Sequence, residues 1–177
     1  MAYDFDGADT FIDIDSSSGF GTLVEQSSHS VAIWVKTDVT NTRQVIIGDW
    51  NAGGTGSGIA MEIQTNDTFR YRIFISGVIK SIDSGIILPD TWYFFTGTFN
   101  DDSNIMTSYI NGEVTGTLNV GAGTLETGTN AVIGKAGARN ALFFDGSISD
   151  VIIYNYVLSP TMIQQMFQRQ FGRIGGH

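Results

Sequence analysis

The fold is decided by the stretch Phe144-Asp145-Gly146-Ser147-Ile148-Ser149-Asp150-Val151-Ile152-Ile153-Tyr154-Asn155, the most apolar strand-like run near the C-terminus. Its Asp-Gly pair favours a tight turn, and the β-branched residues that follow favour a strand. The segment Tyr3-Asp4-Phe5-Asp6-Gly7 carries the same Phe-Asp-Gly signal near the N-terminus. We therefore predict that the two segments are neighbouring strands that close one β-structure.

The composition predicts one folded domain over residues 1–177. Hydrophobic residues make up 42% of the chain and charged residues 15%, which supplies a packed core and excludes a disordered chain. The chain has 22 Gly and 2 Pro, and Thr, Ile, Val and Phe recur, so strands joined by tight turns are favoured over helices. Cysteine is absent, which excludes disulfides, thiolate zinc sites and cysteine nucleophiles.

Charge and hydropathy exclude further classes. The formal net charge is −9, and the 9 Lys and Arg residues are scattered rather than grouped into a basic stripe. We therefore expect no nucleic-acid binding. The sequence has no apolar run long enough to cross a membrane, and residues 1–6 lack the pattern of a signal peptide. We expect no membrane insertion.

Apolar and β-branched runs predict about a dozen strands. They cover residues 3–6, 10–14, 30–37, 44–50, 59–64, 69–75, 91–99, 105–110, 114–118, 131–134 and 144–154. The run 30–37 is apolar on both faces, which predicts a central strand. In the run 69–75, Arg70 and Arg72 alternate with apolar residues, which predicts one solvent-exposed face.

A helix is predicted after the last strand. Ser159-Pro160 is a typical helix start, and Met162, Ile163, Met166 and Phe167 recur at helical spacing. Gly172 is expected to end the helix, which gives a helix of about 159–171 and a tail of 172–177. The predicted fold class is all-β: a two-sheet antiparallel sandwich with one short C-terminal helix.

The order of these motifs resembles that of a known family. The segments are Phe5-Asp6-Gly7, Val31 to Lys36, Ile47-Gly48, Trp92 to Phe99, Tyr109-Ile110-Asn111-Gly112-Glu113, Ile133-Gly134 and Phe144 to Asn155. The chain resembles the laminin-G-like (concanavalin A-like) jelly-roll family along nearly its whole length. That resemblance implies two stacked antiparallel sheets, often a bound calcium, and glycan or protein adhesion. The family also contains hydrolases and modules of viral and surface proteins, so the fold does not decide the function.

No catalytic set is visible in the sequence. Hydrolases of this fold use a carboxylate row of the form Glu-x-Asp-x-x-Glu, in which one carboxylate is the nucleophile and another the acid. Here Glu62 begins such a row, but Gln64 stands where the second carboxylate is needed. We interpret Glu62 as a solvated strand residue and predict that the chain is not an enzyme. His29 and His177 have no ligand spacing, which argues against zinc.

Calcium is the better metal candidate. Asp6, Asp145 and Asp150 lie in the two paired end segments, and hard cations prefer carboxylate and carbonyl oxygens. The alternative is that these aspartates only form Asx turns. Both interpretations stay open on the sequence alone.

Trp50 is the best candidate for a sugar-stacking residue. It lies between Asp49 and Asn51 at the start of the glycine-rich stretch 51–58, which is expected to be a surface loop. Sugar rings stack on Trp, and Asp and Asn hold hydroxyl groups. The alternative places Trp50 over the edge of the core.

The C-terminal segment is a candidate partner contact. Phe171, Arg173 and Ile174 combine basic and apolar character on an otherwise acidic chain. They are able to anchor the module on an acidic neighbour, including another copy of itself, or they belong to a frayed tail. Ile152 stands where the family often carries a charged residue. It is covered either by a partner or by the helix.

Three function hypotheses follow. The first is a non-enzymatic structural or adhesion module, such as a decoration protein on a virion surface or fibre, that presents a glycan- or protein-binding face. The second is a carbohydrate-binding, lectin-like module of a cell-surface or secreted protein. The third, disfavoured by Gln64, is a glycoside hydrolase or lyase. The expected location is a virion surface or the extracellular side of a cell.

Overall fold

The structure is a computed structural model that describes residues 2–15, 27–49, 58–128, 130–137 and 140–174. The strands are β1 (Tyr3–Asp6), β2 (Ile12–Asp15), β3 (His29–Thr37), β4 (Gln44–Gly48), β5 (Ala60–Ile63), β6 (Thr68–Ile75), β7 (Val78–Ile86), β8 (Tyr93–Asn100), β9 (Ile105–Ile110), β10 (Glu113–Asn119), β11 (Leu125–Glu126), β12 (Ala131–Ile133) and β13 (Asp145–Tyr154). The helix α1 spans Pro160–Ile174.

The strands form two antiparallel sheets within the described ranges, as the sequence predicts. The first sheet has six strands in the order β1-β13-β3-β8-β9-β10. The second has seven strands: the order is β11-β6-β5-β4-β12-β2, and β7 pairs with β6. The chain therefore forms a two-sheet sandwich of the jelly-roll type with a C-terminal helix.

The predicted pairing of the two Phe-Asp-Gly segments is confirmed. Strand β1 pairs with β13, and in that register Phe5 lies opposite Gly146 and Asp6 opposite Asp145. Gly146 has a φ of +137°, and a side chain there would press on the backbone of Lys36 and Thr37 in β3. The Phe-Asp-Gly motif thus needs glycine because β13 approaches β3 closely at this point.

The main core lies between the two sheets. Its aromatic centre is the stacked pair of Phe69 from β6 and Phe95 from β8, whose ring centroids are 4.0 Å apart. Both side chains are fully buried. Because the two residues belong to different sheets, their contact fixes the packing of one sheet on the other.

A second apolar layer explains why β3 is apolar on both faces. Trp34 of β3 is fully buried, yet it points away from the sheet–sheet core and packs with Phe94 and Ile163. The indole stacks on Phe167 of α1 at a centroid distance of 5.7 Å, and its Nε1 donates a hydrogen bond of 2.7 Å to the Gln170 side chain. Helix α1 therefore covers the outer face of the six-stranded sheet.

Two strands and the end of the helix differ from the prediction. The strands β7 and β11 were missing from the sequence prediction because their short or irregular runs show no clear alternation. Gly172 does not end the helix, which continues to Ile174. An isolated glycine costs only about 1 kcal/mol relative to alanine in a helix.

The predicted solvent-exposed face of the β5–β6 hairpin is only partly correct: Arg70 is partly exposed, but its neighbours on that face are not. Arg72 is only 5% exposed and Glu62 is fully buried on that outer face. The two side chains form an ion pair with a distance of 3.1 Å between Arg72 Nε and Glu62 Oε1. Mutual charge neutralisation allows both groups to be buried, which alternation alone does not reveal.

Candidate functional site

A groove with both polar and apolar lining runs along the outer face of the six-stranded sheet where helix α1 begins. Strands β8 and β9 form its floor, since Thr98 and Thr107 are cross-strand partners on that face. The chain between β13 and α1 forms the opposite wall. The groove has a volume of about 370 Å³. Its lining consists of Thr98, Asn100, Ser103, Ile105, Thr107, Tyr109, Val157, Leu158, Ser159 and Pro160.

Alternation along the two strands explains which side chains reach the groove. The inward positions Phe95, Phe99 and Met106 are fully buried in the sheet–sheet core. The intervening positions point to the opposite face, where Thr98, Asn100 and Thr107 carry hydroxyl and amide groups. The sequence Thr96-Gly97-Thr98 thus places small polar groups on the outer face.

The buried part of the groove is rigidly held. Tyr109 is only 4% exposed. Burial raises the pKa of the Tyr109 phenol, and a hydrogen bond with the Thr98 side chain partly offsets that rise. Tyr109 is therefore a neutral phenol at physiological pH. The Tyr109 ring supplies an apolar part of the groove wall, and its hydroxyl supplies a polar part.

The rim is held by local hydrogen bonds. The Asn100 side chain accepts a bond of 3.0 Å from the Ser103 amide in the β8–β9 turn. The Ser159 hydroxyl accepts a bond of 3.3 Å from the Met162 amide and so caps α1, as the Ser-Pro signal predicts. Among the described lining residues there is no carboxylate, imidazole or cationic side chain. The arrangement suits binding of a neutral polyol and lacks an acid–base pair for bond cleavage.

Asp49 is placed differently from its predicted role in holding sugar hydroxyls. It is fully buried, and its carboxylate accepts the amides of Ile59 at 2.5 Å and Gly128 at 2.8 Å. Gly58 has a φ of +115°, and any side chain there would run into this carboxylate. Because both oxygens of Asp49 bind backbone amides, we correct its role to that of a structural anchor.

Trp50 and Asn51 lie outside the described residues, as does the rest of the stretch 51–57. Their role in glycan binding stays a prediction.

The three predicted calcium ligands do not gather at one point. Asp6 and Asp145 are register partners. Asp150 lies five residues along β13, roughly 16 Å away at the usual rise per residue. Among the described residues, no group of three or more Asp, Glu, His or Cys side chains is arranged to hold a metal.

Asp6 makes the Asx turn that the alternative interpretation predicts. Its Oδ1 accepts the amides of Ala8, Asp9 and Thr10 at 3.0–3.1 Å. These bonds hold the pKa of the Asp6 carboxyl well below its usual range. Calcium binding itself stays a prediction, and a fall in melting temperature on chelation would support it.

Glu62 is a structural counter-ion and not a solvated residue. Its Oε2 accepts hydrogen bonds from Arg43 Nη2 at 2.8 Å and from the side-chain Nε2 of Gln64 at 2.9 Å. Burial lowers the pKa of Arg72 to about 10, although the Glu62 carboxylate raises it. The residue that replaces the second carboxylate of the hydrolase pattern, Gln64, thus serves to hold Glu62 in place.

The predicted partner contacts fall into two groups. Phe171 is 52% exposed, and its ring is tilted by 35° to the Trp34 ring, with centroids 6.3 Å apart. Ile152 is half-buried and pairs with Ala32, which lies in the layer covered by α1. What covers Ile152 stays a prediction. Arg173 and Ile174 end the helix, and their side chains lie outside the described residues.

A laminin G family model matches residues 6–164, and its description is "Concanavalin A-like lectin/glucanases superfamily". The match spans most of the chain and confirms the predicted resemblance. The protein is a member of the concanavalin A-like lectin/glucanase superfamily. No curated protein matches the chain in sequence.

Solved structures confirm the sandwich fold. The Ruminococcus gnavus IT-sialidase CBM40 bound to α2,3 sialyllactose superposes with a TM-score of 0.78 at 18% identity, covering 94% of this chain and 96% of that one. The native heptameric SAP-like pentraxin of Limulus polyphemus gives a TM-score of 0.69 at 18% identity, with coverage of 94% and 81%. The receptor binding domain of botulinum neurotoxin C/D mosaic serotype gives 0.74 at 19% identity, and this chain spans 43% of it.

The groove residues Thr98, Thr107 and Tyr109 were not among the predicted site residues. Their local signal is the alternation of polar residues with core residues in β8 and β9. That signal shows only that the outer face carries polar residues. The opposite wall comes from Val157 to Pro160, which lie far later in the chain. No helix of the described residues has the length and apolarity needed to span a membrane.

Proposed function

We propose that the protein is a non-catalytic glycan-binding module that holds a neutral saccharide in the groove of Thr98, Thr107 and Tyr109. The observation that carries this proposal is the groove itself. Fixed hydroxyl and amide groups beside a buried tyrosine match the alternating polar and apolar faces of a sugar ring. The absence of cationic side chains in the described lining favours a neutral saccharide over an acidic one.

Two further observations support a binding role. The similarity to a sialidase carbohydrate-binding module bound to sialyllactose is consistent with a lectin-like use of this fold. The carboxylate of Glu62, the residue that begins the hydrolase-like pattern, is fully engaged by arginines and a glutamine. The proposed module acts at a cell surface or in the extracellular space, where glycans are presented.

Glycan-array binding followed by calorimetric titration tests the groove. We expect Thr107→Val to weaken saccharide binding by about threefold to tenfold, the effect of one lost hydrogen bond. Thr98 is buried and bonds the Tyr109 phenol, so Thr98→Val should weaken binding indirectly, by releasing that ring. Thr42→Val is the matched control, because Thr42 is an exposed threonine in the loop before β4.

The outcomes separate the two candidate sugar sites. Binding that survives both groove substitutions but is abolished by Trp50→Ala would move the site to the glycine-rich stretch 51–58. A full array with no saccharide bound would contradict glycan binding, and release of products from any polysaccharide would contradict a non-catalytic role.

A second candidate function is a structural or adhesion module on a larger assembly, such as a decoration protein of a virion or fibre. The exposed Phe171 near the end of α1 favours it, because half-exposed aromatic rings are common anchors at interfaces. Labelling of position 171 before and after assembly would test this function. A label that assembly blocks would support it, and equal labelling in both states would contradict it. The two functions use different surfaces and are compatible in one molecule.

A further inference from the structure

The open side of the sandwich between the edge strands β1 and β2 carries an apolar cleft. Tyr3 is 60% exposed and Ile12 36% exposed at its two edges. The cleft has a volume of about 190 Å³ and is lined by Tyr3, Phe5, Ile12, Ile133, Ile148, Ser149, Asp150 and Val151. Phe11, 42% exposed, extends the apolar surface beside it. Exposed apolar residues grouped in this way are typical of an interaction surface.

The size of the cleft suits one aromatic side chain. An apolar cavity of about 150 Å³ accommodates a benzene molecule. The cleft is slightly larger and is open to solvent on one side, so a phenyl ring carried by a partner is able to enter it.

The edge segment beside the cleft is acidic. The first fifteen residues contain Asp4, Asp6, Asp9, Asp13 and Asp15 and no lysine or arginine. Asp150 lies in the lining. The Lys135 ammonium lies 3.6 Å from the centroid of the Phe11 ring, so one aromatic ring of this edge already contacts a cation. A partner that combines an aromatic ring with positive charge therefore complements the surface.

The chain itself contains a segment of that chemistry. Residues 151–177 include Arg169 and Arg173 and no aspartate or glutamate. Within this segment, Phe171 is 52% exposed near the end of α1, and Arg169 is also exposed. The acidic edge and the basic helix end thus carry opposite charge.

We propose that the protein forms a two-fold dimer in which the helix end around Phe171 of one copy occupies the β1–β2 cleft of the other. The ring of Phe171 enters the cleft, and Arg169 meets the surrounding carboxylates. Phe171 lies over Trp34 in β3, and β3 is joined to β1 through β13. In a two-fold dimer each copy presents both the helix end and the cleft, so the same contact forms twice.

Sedimentation velocity of the full chain over a range of protein concentrations tests the dimer. We expect a monomer–dimer equilibrium for the natural sequence. Tyr3→Asp should weaken the dimer by about tenfold or more, because it replaces an aromatic side chain that lines the cleft. Arg169→Glu should also weaken it, and added salt should weaken the natural dimer because the charge contacts are screened.

Val78→Asp is the matched control, because Val78 is a 53% exposed apolar residue on the edge strand β7. It should leave the dimer unchanged, and thermal melts should confirm that each variant is folded. A natural sequence that is monomeric at every concentration would overturn the proposal, as would a dimer that Tyr3→Asp leaves intact or that only Val78→Asp disrupts.

A peptide of residues 165–177 separates a second copy from a foreign partner. In the proposed dimer, the peptide competes with dimer formation and does not bind Tyr3→Asp. If the natural chain stays monomeric and yet binds the peptide through Tyr3, the cleft takes a different protein of the same chemistry, and the second-copy proposal is wrong.

Discussion

The Nε2 atom of His29 lies 2.8 Å from the hydroxyl oxygen of Tyr71, and both side chains are fully buried between the sheets. Nδ1 lies 3.0 Å from the Ser27 carbonyl, which can only accept. Nδ1 therefore carries the proton and donates, while Nε2 accepts from the Tyr71 hydroxyl. The pair is a neutral hydrogen-bonded link between β3 and β6.

This link predicts a loss of stability in acid. Burial lowers the pKa of His29 from 6.5 to about 4. Because the unfolded state binds the proton more readily, the stability is complete above pH 6.5 and falls as the pH drops toward about 4. The shift corresponds to about 3 kcal/mol.

Chemical denaturation across this pH range checks the prediction. His29→Gln should show a shallower fall in unfolding free energy than the natural sequence between those two pH values. The Tyr71→Phe variant, which keeps the histidine, should retain a pH dependence. Identical slopes for His29→Gln and the natural sequence would show that other groups dominate acid sensitivity.

The buried ion pair of Glu62 and Arg72 predicts a large cost when one partner is neutralised. Glu62→Gln leaves the buried guanidinium of Arg72 without its counter-charge, so we expect a loss of about 3–5 kcal/mol in unfolding free energy. The control lies on the same face of the sheet. Asp83→Asn removes an ion pair with Arg70 that is partly exposed, and we expect a change of about 1 kcal/mol or less. Equal losses would contradict the role of burial.

The hydrogen bond from Trp34 to Gln170 is a polar contact inside the apolar layer between α1 and the sheet. We predict that its loss lowers the stability of the protein. Gln170→Leu leaves the buried indole N–H unpaired, which should cost roughly 1–3 kcal/mol. Gln165→Leu changes an exposed position on the same helix and should alter stability by no more than about 0.5 kcal/mol. Denaturation followed by tryptophan fluorescence measures both, and similar effects would argue against the bond.

We predict that position 146, the glycine of the second Phe-Asp-Gly motif, tolerates no side chain. Gly146→Ala combines a positive φ with a clash against the backbone of β3, so we expect a loss of at least about 2 kcal/mol or a chain that does not fold. Gly77→Ala is the control: its φ is +81° and nothing lies within 4 Å of the added carbon. Its cost is expected to be about 1 kcal/mol, the strain of the backbone alone. The melting temperatures of the two variants check this prediction. An equal decrease for both would mean that the close approach of β13 to β3 is unimportant.

The sequence by itself determined the sandwich and its closure. Alternation and apolar runs are local properties, so β3, β6, β8 and β9 are visible in the chain, and the repeated Phe-Asp-Gly signal identifies the pairing of β1 with β13. The Ser-Pro start of α1 is local as well. The replacement of a carboxylate by Gln64 is also readable directly from the residue type.

Only the tertiary structure decided which polar groups are buried and which share a surface. Asp49 and Glu62 resemble surface carboxylates in the sequence, but both are buried. Backbone amides bind Asp49, and the charges of Arg43 and Arg72 neutralise Glu62. The groove at Thr98 and Thr107 exists because the segment before α1 returns over β8 and β9. Such contacts depend on the packing of distant segments, and local periodicity carries no information about them.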